Sequence, residues 1–556
     1  MSEQPSGSDP IAGAPAERAN PNRMKSPIAF WIGMAIITAA TAVVFWEFLR
    51  LKAEGAGYRV TPAMGVGVVV DVLGTLLAAW GVLPRGWWEH YDSLQRRDAE
   101  AELERVASDM AAAPAEADAL QAMDNSRMTP THWTMVGRMY LGLVVDTMKP
   151  ATLGFMLPGM RAEYGLSAST VALFPLFALI GLTLGSVVFG ALGDIIGRRA
   201  SFIFTALLFA TTSLCGFMPW FQWQLGMCFL MGLAAGGELP LLYTLLAESM
   251  PARHRGWLGV ALGGIGALSG FFVASTLAWI LEPPFSWRIL WLPNLPTALL
   301  MLFMLRWIPE SPRFLLQMGF PEEAKKVLAK LGITHGASAK PEQRRQMREV
   351  FGRGLVATTV MLCAFGFSWG LCNWGFITWL PNMLRDLGVE AAQSSKVLAV
   401  ASAGAIPGTI VASAAFGLWS SKWTAALSAL ATSGCLVAFY LFAPILATRT
   451  DLLMILMICL FVASSSMIGV LAPYSVELYP TTLRGVGSGV VAASSKSGGI
   501  VGPLLVGWLL GMSSSLALPA LIIGIPIGLA GVLMMVRGRE TRGVSLEELT
   551  DARPPS

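Results

Sequence analysis

Apolar runs of about twenty residues recur along this chain from residue 27 to residue 537, and nothing constrains its fold more tightly. A helix rising ~1.5 Å per residue needs about that length to cross the ~30 Å hydrocarbon core of a bilayer. Two runs come early, Pro27 to Trp46 and Val60 to Leu83. Twelve more follow, near 135–160, 170–192, 200–219, 222–247, 256–281, 286–308, 354–381, 396–419, 423–446, 451–475, 485–511 and 513–537. Composition agrees. Only 13% of the 556 residues are charged, where a soluble chain carries roughly a quarter. The expected fold is an all-α, multi-pass membrane protein: twelve core helices preceded by two extra N-terminal transmembrane helices.

The hydrophilic intervals set the expected organisation. Residues 1–26 are Ser/Pro/Ala-rich, read as disordered, and lack the pattern of a cleaved secretory signal. The two extra helices occupy 27–84. A charged, partly helical linker with Arg96, Arg97, Glu100, Glu102, Glu104 and Arg105 fills 85–133. Six core helices in 134–308 and six in 354–537 flank a Lys/Arg-rich loop, 309–353, and a tail runs over 538–556. The basic loops, at Arg198/Arg199, Arg253/Arg255, 306–353, Arg484 and Arg537/Arg539/Arg542, fall on one side. The positive-inside rule makes that side cytoplasmic, with both termini on it, in the cell (inner) membrane. Arg50, Lys52 and Arg59, between the two extra helices, run against the rule.

Several functions are excluded. The net charge of +4 reflects these loops and is no sign of nucleic-acid binding. Six cysteines form no close pair, so neither a disulfide framework nor a metal site is expected. Four histidines lie outside the spans, which argues against a histidine proton relay. No nucleotide-binding loop, metal cluster or nucleophile–base constellation is evident, so no cofactor is expected and the chain is not read as an enzyme. The expected partners are the lipid bilayer, a small-molecule substrate and H+. The sequence leaves the oligomeric state open.

Specific motifs punctuate the loops. Gly190-Ala-Leu-Gly-Asp194-Ile-Ile-Gly197-Arg198-Arg199 joins the second and third core spans. Gly236-Gly-Glu238-Leu-Pro240 precedes Glu248-Ser-Met-Pro251-Ala-Arg253-His-Arg255-Gly256. Glu477-Leu-Tyr-Pro480-Thr-Thr-Leu-Arg484-Gly485 repeats that plan in the second half. Trp287-Arg288, Pro309-Glu310-Ser-Pro312-Arg313, Trp374-Gly-Phe-Ile-Thr-Trp379-Leu-Pro381, Asp146-Thr-Met148 ahead of Leu157-Pro158, and Arg539-Glu540-Thr-Arg-Gly543 complete the set. Over about residues 135–550 the chain resembles the major facilitator superfamily, closest to its niacin-type, synaptic-vesicle glycoprotein-like and sugar-porter branch. The resemblance implies two six-helix bundles with core helices one, four, seven and ten lining a cavity between them. It also implies a gate or conformational switch at Gly190, Asp194, Gly197, Arg198, Arg199, Glu248, Arg255, Glu477 and Arg484. Two departures stand out: Lys149 where the branch usually has a second acid, and Lys496 where it usually has an arginine. The copy of the hinge between helices eight and nine, Gly417 to Lys422, has lost its Asp.

A charge at the centre of a membrane helix costs ~2.5–3.5 kcal/mol on insertion scales, so it is kept for partners or a wet cavity. Asp146 and Lys149 sit near the middle of core helix one, Glu238 past the middle of helix four and Lys496 near the middle of helix eleven. Asp146 and Lys149, three apart, share a helix face and can pair, simply neutralising each other. The functional alternative gives Lys149 or Lys496 an anionic group of the substrate and Glu238, before Asp146, the proton. Glu238 has its own plain alternative, a helix-packing or gate contact. Asn373 and Trp374 add an amide and aromatic surface, and Pro150, Pro158 and Pro240 can bend or break their helices. The reading is a secondary active transporter of a small organic solute, an organic anion or an aromatic or carboxylated metabolite, by proton symport. The alternatives are a proton-coupled drug or metabolite efflux antiporter and a non-transporting receptor or scaffold on the same fold.

Overall fold

The structure, a computed structural model, describes residues 24–55, 60–83, 128–217, 220–305, 310–311, 314–315, 320–330, 355–386, 388–446, 448–479, 484–512 and 517–541. Most of the expected linker, the N-terminal 23 residues and the end of the tail lie outside them.

The two extra helices are α1 (Pro27–Ala53) and α2 (Pro62–Val82). Each opens with proline in its first turn behind a capping hydroxyl: Ser26 accepts from the Ala29 amide and Thr61 from the Met64 amide. The first bundle follows as α3 (Pro130–Tyr164), α4 (Leu173–Ile196), α5 (Arg198–Thr211, extended by a 3-10 turn Thr212–Phe217), α6 (Phe221–Ser249), α7 (Ala252–Phe285) and α8 (Asn294–Leu305). A short helix, α9 (Pro321–Lys330), lies in the inter-bundle loop. The second bundle comprises α10 (Val356–Gly370, then a π-helical segment Leu371–Ile377, then Thr378–Asp386), α11 (Ala391–Leu418), α12 (Ser421–Leu446), α13 (Thr450–Leu478), α14 (Arg484–Met512) and α15 (Ala517–Arg537).

Twelve helices among the described residues are long and apolar enough to cross a membrane. Two more, α3 and α6, are long enough at 35 and 29 residues but are not among those twelve. They carry Asp146, Lys149 and Glu238.

Small residues set the packing. The α4–α6 contact is so close that a Cβ on Gly236 would lie 2.0 Å from the Leu182 carbonyl oxygen, and one on Gly232 2.0 Å from that of Ala178. The glycine pair before Glu238 therefore presses α6 onto α4 and carries the acid into the interior. In the second bundle Gly498 of α14 meets the Phe367 carbonyl in the same way, bringing α14 against α10. The α1–α2 hairpin docks on α5: the Thr75 and Thr211 hydroxyls are 2.6 Å apart, and Phe48 meets Phe217 edge to face with ring centroids 5.2 Å apart.

Three expectations are corrected. α3 starts at Pro130, inside the segment assigned to the linker, because Thr129 and the proline form a helix start there. α3 runs unbroken through Pro150 and Pro158, and α6 through Pro240. The irregular backbone lies instead in α10, where the π-helical turn spans Asn373 and Trp374.

Candidate functional site

Four ionisable side chains converge from three helices of both bundles. Asp146 and Lys149 come from α3, Glu238 from α6 and Lys496 from α14. Asp146, Lys149 and Glu238 are 5%, 1% and 0% exposed, so none of them faces lipid. Lys496 is half-buried. Asp146 lies within electrostatic reach of Lys149 and Lys496, and Glu238 within reach of Asp146 and Lys149.

These charges do not close into ion pairs. Asp146 and Lys149 share a helix face as expected but make no salt bridge. The Lys149 ammonium turns instead to the Phe209 ring of α5, 2.9 Å from its centroid, and to Met301 Sδ of α8 at 3.9 Å. Asp146 Oδ1 and both carboxyl oxygens of Glu238 are buried without a hydrogen-bond partner among the described residues. Asp146 and Lys149 thus stay within electrostatic reach of each other without a direct salt bridge. Buried polar groups are normally satisfied, and each exception calls for an explanation such as a catalytic role or a bound water or ion.

The π-helical turn of α10 presents Asn373 and Trp374, both half-buried. Trp374 packs on Gly499 of α14, one turn beyond Lys496: a Cβ on Gly499 would be 2.8 Å from Trp374 Cδ1. Trp369, by contrast, is engaged within its own bundle and donates to the Ser464 carbonyl at 3.1 Å.

At the hinge, Gly197 adopts φ 99°, a left-handed conformation suited to glycine. This aims the start of α5 at Glu310, whose carboxylate accepts from the backbone amides of Arg198 (3.0 Å), Arg199 (3.1 Å) and Ser311 (3.1 Å). Arg198 also donates to the Gly193 carbonyl and lies over Phe314. Burial pushes the Glu310 carboxyl above its ordinary range; the three amides and the Arg198 charge oppose that shift. The second bundle has a counterpart. Glu540 accepts from the Ser421 amide and from the Ser420 and Ser421 hydroxyls at the start of α12, and Thr541 donates to Glu477 at 2.6 Å. The hinge copy that lost its Asp thus keeps its acidic helix cap. Gly190 has open space around it. The side chains of Asp194, Glu248, Arg255 and Arg484 lie outside the described residues.

The sequence reading missed a second cluster, at the end of the bundles opposite the hinge. Arg385 of α10 pairs with Glu282 of α7, and Arg161 of α3 pairs with Asp386 of α10 at 3.3 Å; both cross between bundles. Asn382 also donates to Asp386. The available signal was a charge at the end of each of three spans. Trp287-Arg288 has a role within the first bundle: Arg288 binds Glu163 at 2.6 Å and the Gly216 carbonyl at 2.8 Å, tying the end of α3 to the end of α5.

Residues 137–552 match the model of the family described as "Sugar (and other) transporter". The chain belongs to that family. It is an integral, multi-pass membrane transporter of small organic solutes within the major facilitator superfamily, and not an enzyme. The niacin transporter NiaP of Acinetobacter baylyi is 26% identical over 444 residues, covering 78% of this chain and 99% of the relative. The 4-hydroxybenzoate transporter PcaK of Pseudomonas aeruginosa is 26% identical over 447 residues, covering 75% and 95%. Among solved structures, the proton:xylose symporter XylE bound to 6-bromo-6-deoxy-D-glucose superposes with a TM-score of 0.61 at 20% identity, over 76% of this chain and 99% of that one. That likeness shows the fold. The match leaves α1 and α2 outside the family region, so this transporter carries its hairpin in addition to the shared core.

Proposed function

We propose that this transporter moves a carboxylated aromatic or similar small organic anion by proton symport, through a site between bundles that faces each side of the membrane in turn. The observation that carries the proposal is the gathering of Asp146, Lys149, Glu238 and Lys496 in the interior with no direct ion pair among them. An ammonium on each side of the bundle boundary suits a carboxylate. Trp374 beside Lys496 suits an aromatic ring, and Asn373 offers an amide. Relatives named for niacin and 4-hydroxybenzoate carry substrates that combine a ring with an acid group. Glu238, whose two carboxyl oxygens have no hydrogen-bond partner among the described residues, is the proposed proton carrier.

In this reading the hinge end faces the cytoplasm, both termini lie there, and the membrane is the inner one. Glu310, Arg198 and Arg199, with Gly197, form the switch at that end, and Glu540, Glu477 and Ser421 form its second-bundle counterpart. Asp194, Glu248, Arg255 and Arg484 complete the gate by their place in the family motifs.

Uptake of labelled niacin, benzoate and 4-hydroxybenzoate into vesicles tests the anion reading. Lys149→Ala and Lys496→Ala should each lower uptake at least about tenfold, the equivalent of ~1.4 kcal/mol. Unchanged uptake of every carboxylate in both variants would reject it.

A further inference from the structure

The least expected contact in the interior is that of Lys149 with Phe209 and Met301. An ammonium that is 1% exposed would ordinarily seek a carboxylate. Two lie within electrostatic reach, Asp146 on its own helix and Glu238 on α6, and both keep oxygens with no hydrogen-bond partner among the described residues. Yet the ammonium rests on the face of the Phe209 ring and against the Met301 sulfur. An aromatic face attracts a desolvated cation through the ring quadrupole, and a thioether is a weak, polarisable acceptor. Both residues are buried, and both come from helices, α5 and α8, that the family resemblance does not place in the cavity lining.

We infer that Phe209 and Met301 are positioning residues: they form a resting station that holds Lys149 off Asp146 and Glu238, leaving those acids open to a proton. The inference deepens the proposed function and rests on it for its transport arm. A lysine with a neutral station can be charged without being committed to an acid. When a substrate carboxylate arrives, the ammonium can leave the ring for it at the cost of one cation–ring contact instead of a buried ion pair. Without the station, the ammonium would settle on the carboxylates and compete with the proton for them. The titratable groups facing it are Asp146 and Glu238; Lys496 of α14 faces Asp146 from the other bundle. From α5 and α8 the described contacts are Phe209 and Met301, neither of which titrates.

Two measurements test this. The first needs no substrate: the thermal midpoint of the purified full chain in detergent, followed from acid to neutral pH. Phe209→Leu should change the pH profile when Lys149 is present and leave it unchanged in a Lys149→Met background. An equal effect in both backgrounds would overturn the station. The second is niacin uptake by proteoliposomes. In Phe209→Leu the pH of half-maximal uptake should fall by about one unit, the scale of a desolvated cation–ring contact. Phe209→Tyr, which keeps the ring, should retain the original profile. Met301→Leu, of similar volume, should shift it in the same direction by less. If Lys149→Ala alters the profile but Phe209→Leu does not, the inference falls and the proposed function stands. If the intact protein does not carry niacin, that substrate is wrong, and the first measurement alone decides the station. Should Phe209→Leu not accumulate in membranes, an unchanged profile in Met301→Leu overturns the inference.

Discussion

Arg385 of α10 donates to Glu282 of α7 across the boundary between the two bundles, with Nη2 2.5 Å from Oε1. The glutamate side chain is 8% exposed and the arginine 22%. Beside it, Arg161 and Asp386 are 35% and 31% exposed and their contact is 3.3 Å. The two pairs close the same end of the protein but in different surroundings, and that difference decides their weight.

Removing one partner of a buried pair costs ~3–5 kcal/mol, whereas an exposed pair is worth ~0–1 kcal/mol. Glu282→Gln should therefore shift the population toward the state open at this end by about tenfold or more. Asp386→Asn should shift it by no more than about fivefold. Labelling of a cysteine placed between α3 and α10, in intact membranes, reads both. Restoration by a Glu282→Arg/Arg385→Glu double reversal would tie the effect to the pair, and equal effects of the two single variants would refute this ranking.

The hinge glycines separate by geometry. Gly190→Ala should leave expression and transport within about 0.5 kcal/mol of the original, because a Cβ there meets open space. Gly197→Ala should cost ~1–2 kcal/mol for the left-handed backbone alone, and its Cβ would lie 2.5 Å from Glu310 Oε2. Thermal midpoints of the two variants test the contrast. Comparable losses would mean that backbone strain is not what gives the motif its glycines.

Gly236→Leu should be the most damaging of the glycine changes. The Leu182 carbonyl is backbone and cannot yield, so α4 and α6 must separate and Glu238 with them. Loss of folded protein in detergent is the expected outcome, and a normal midpoint would contradict the packing described.

Glu310 gives a pH dependence with a definite sign. Its carboxyl is held above the ordinary value of 4.5, first by burial. A raised value means that the folded protein binds this proton more readily than the unfolded chain. Glu310 thus contributes stability that is present below the ordinary value and lost as pH rises through its own. The midpoint of the protein should fall relative to Glu310→Gln as pH rises through that interval. Midpoints of the two proteins from acid to neutral pH check it; a widening advantage for Glu310 with rising pH would show that the three backbone amides outweigh burial.

Much of this was legible in the chain. Each span announced itself because lipid demands one length of apolar helix. The motif with its glycine pair before Glu238 was visible, and α6 does press on α4 there. The partners of the charges were not legible. Three-residue spacing put Lys149 beside Asp146, but the contacts the lysine makes come from α5 and α8, which only the folded bundle brings near. Glu282 and Arg385 are likewise distant in sequence and meet only because the ends of α7 and α10 converge. The prolines of α3 do not interrupt it. Neighbouring helices hold the backbone in register, so a residue that breaks an isolated helix is accommodated.

The proton-carrying role of Glu238 is tested most directly by accumulation of a labelled carboxylate in proteoliposomes under an imposed pH gradient, with solute exchange measured in parallel. Glu238→Gln should abolish accumulation while preserving exchange. Accumulation equal to that of the unaltered protein would contradict the account.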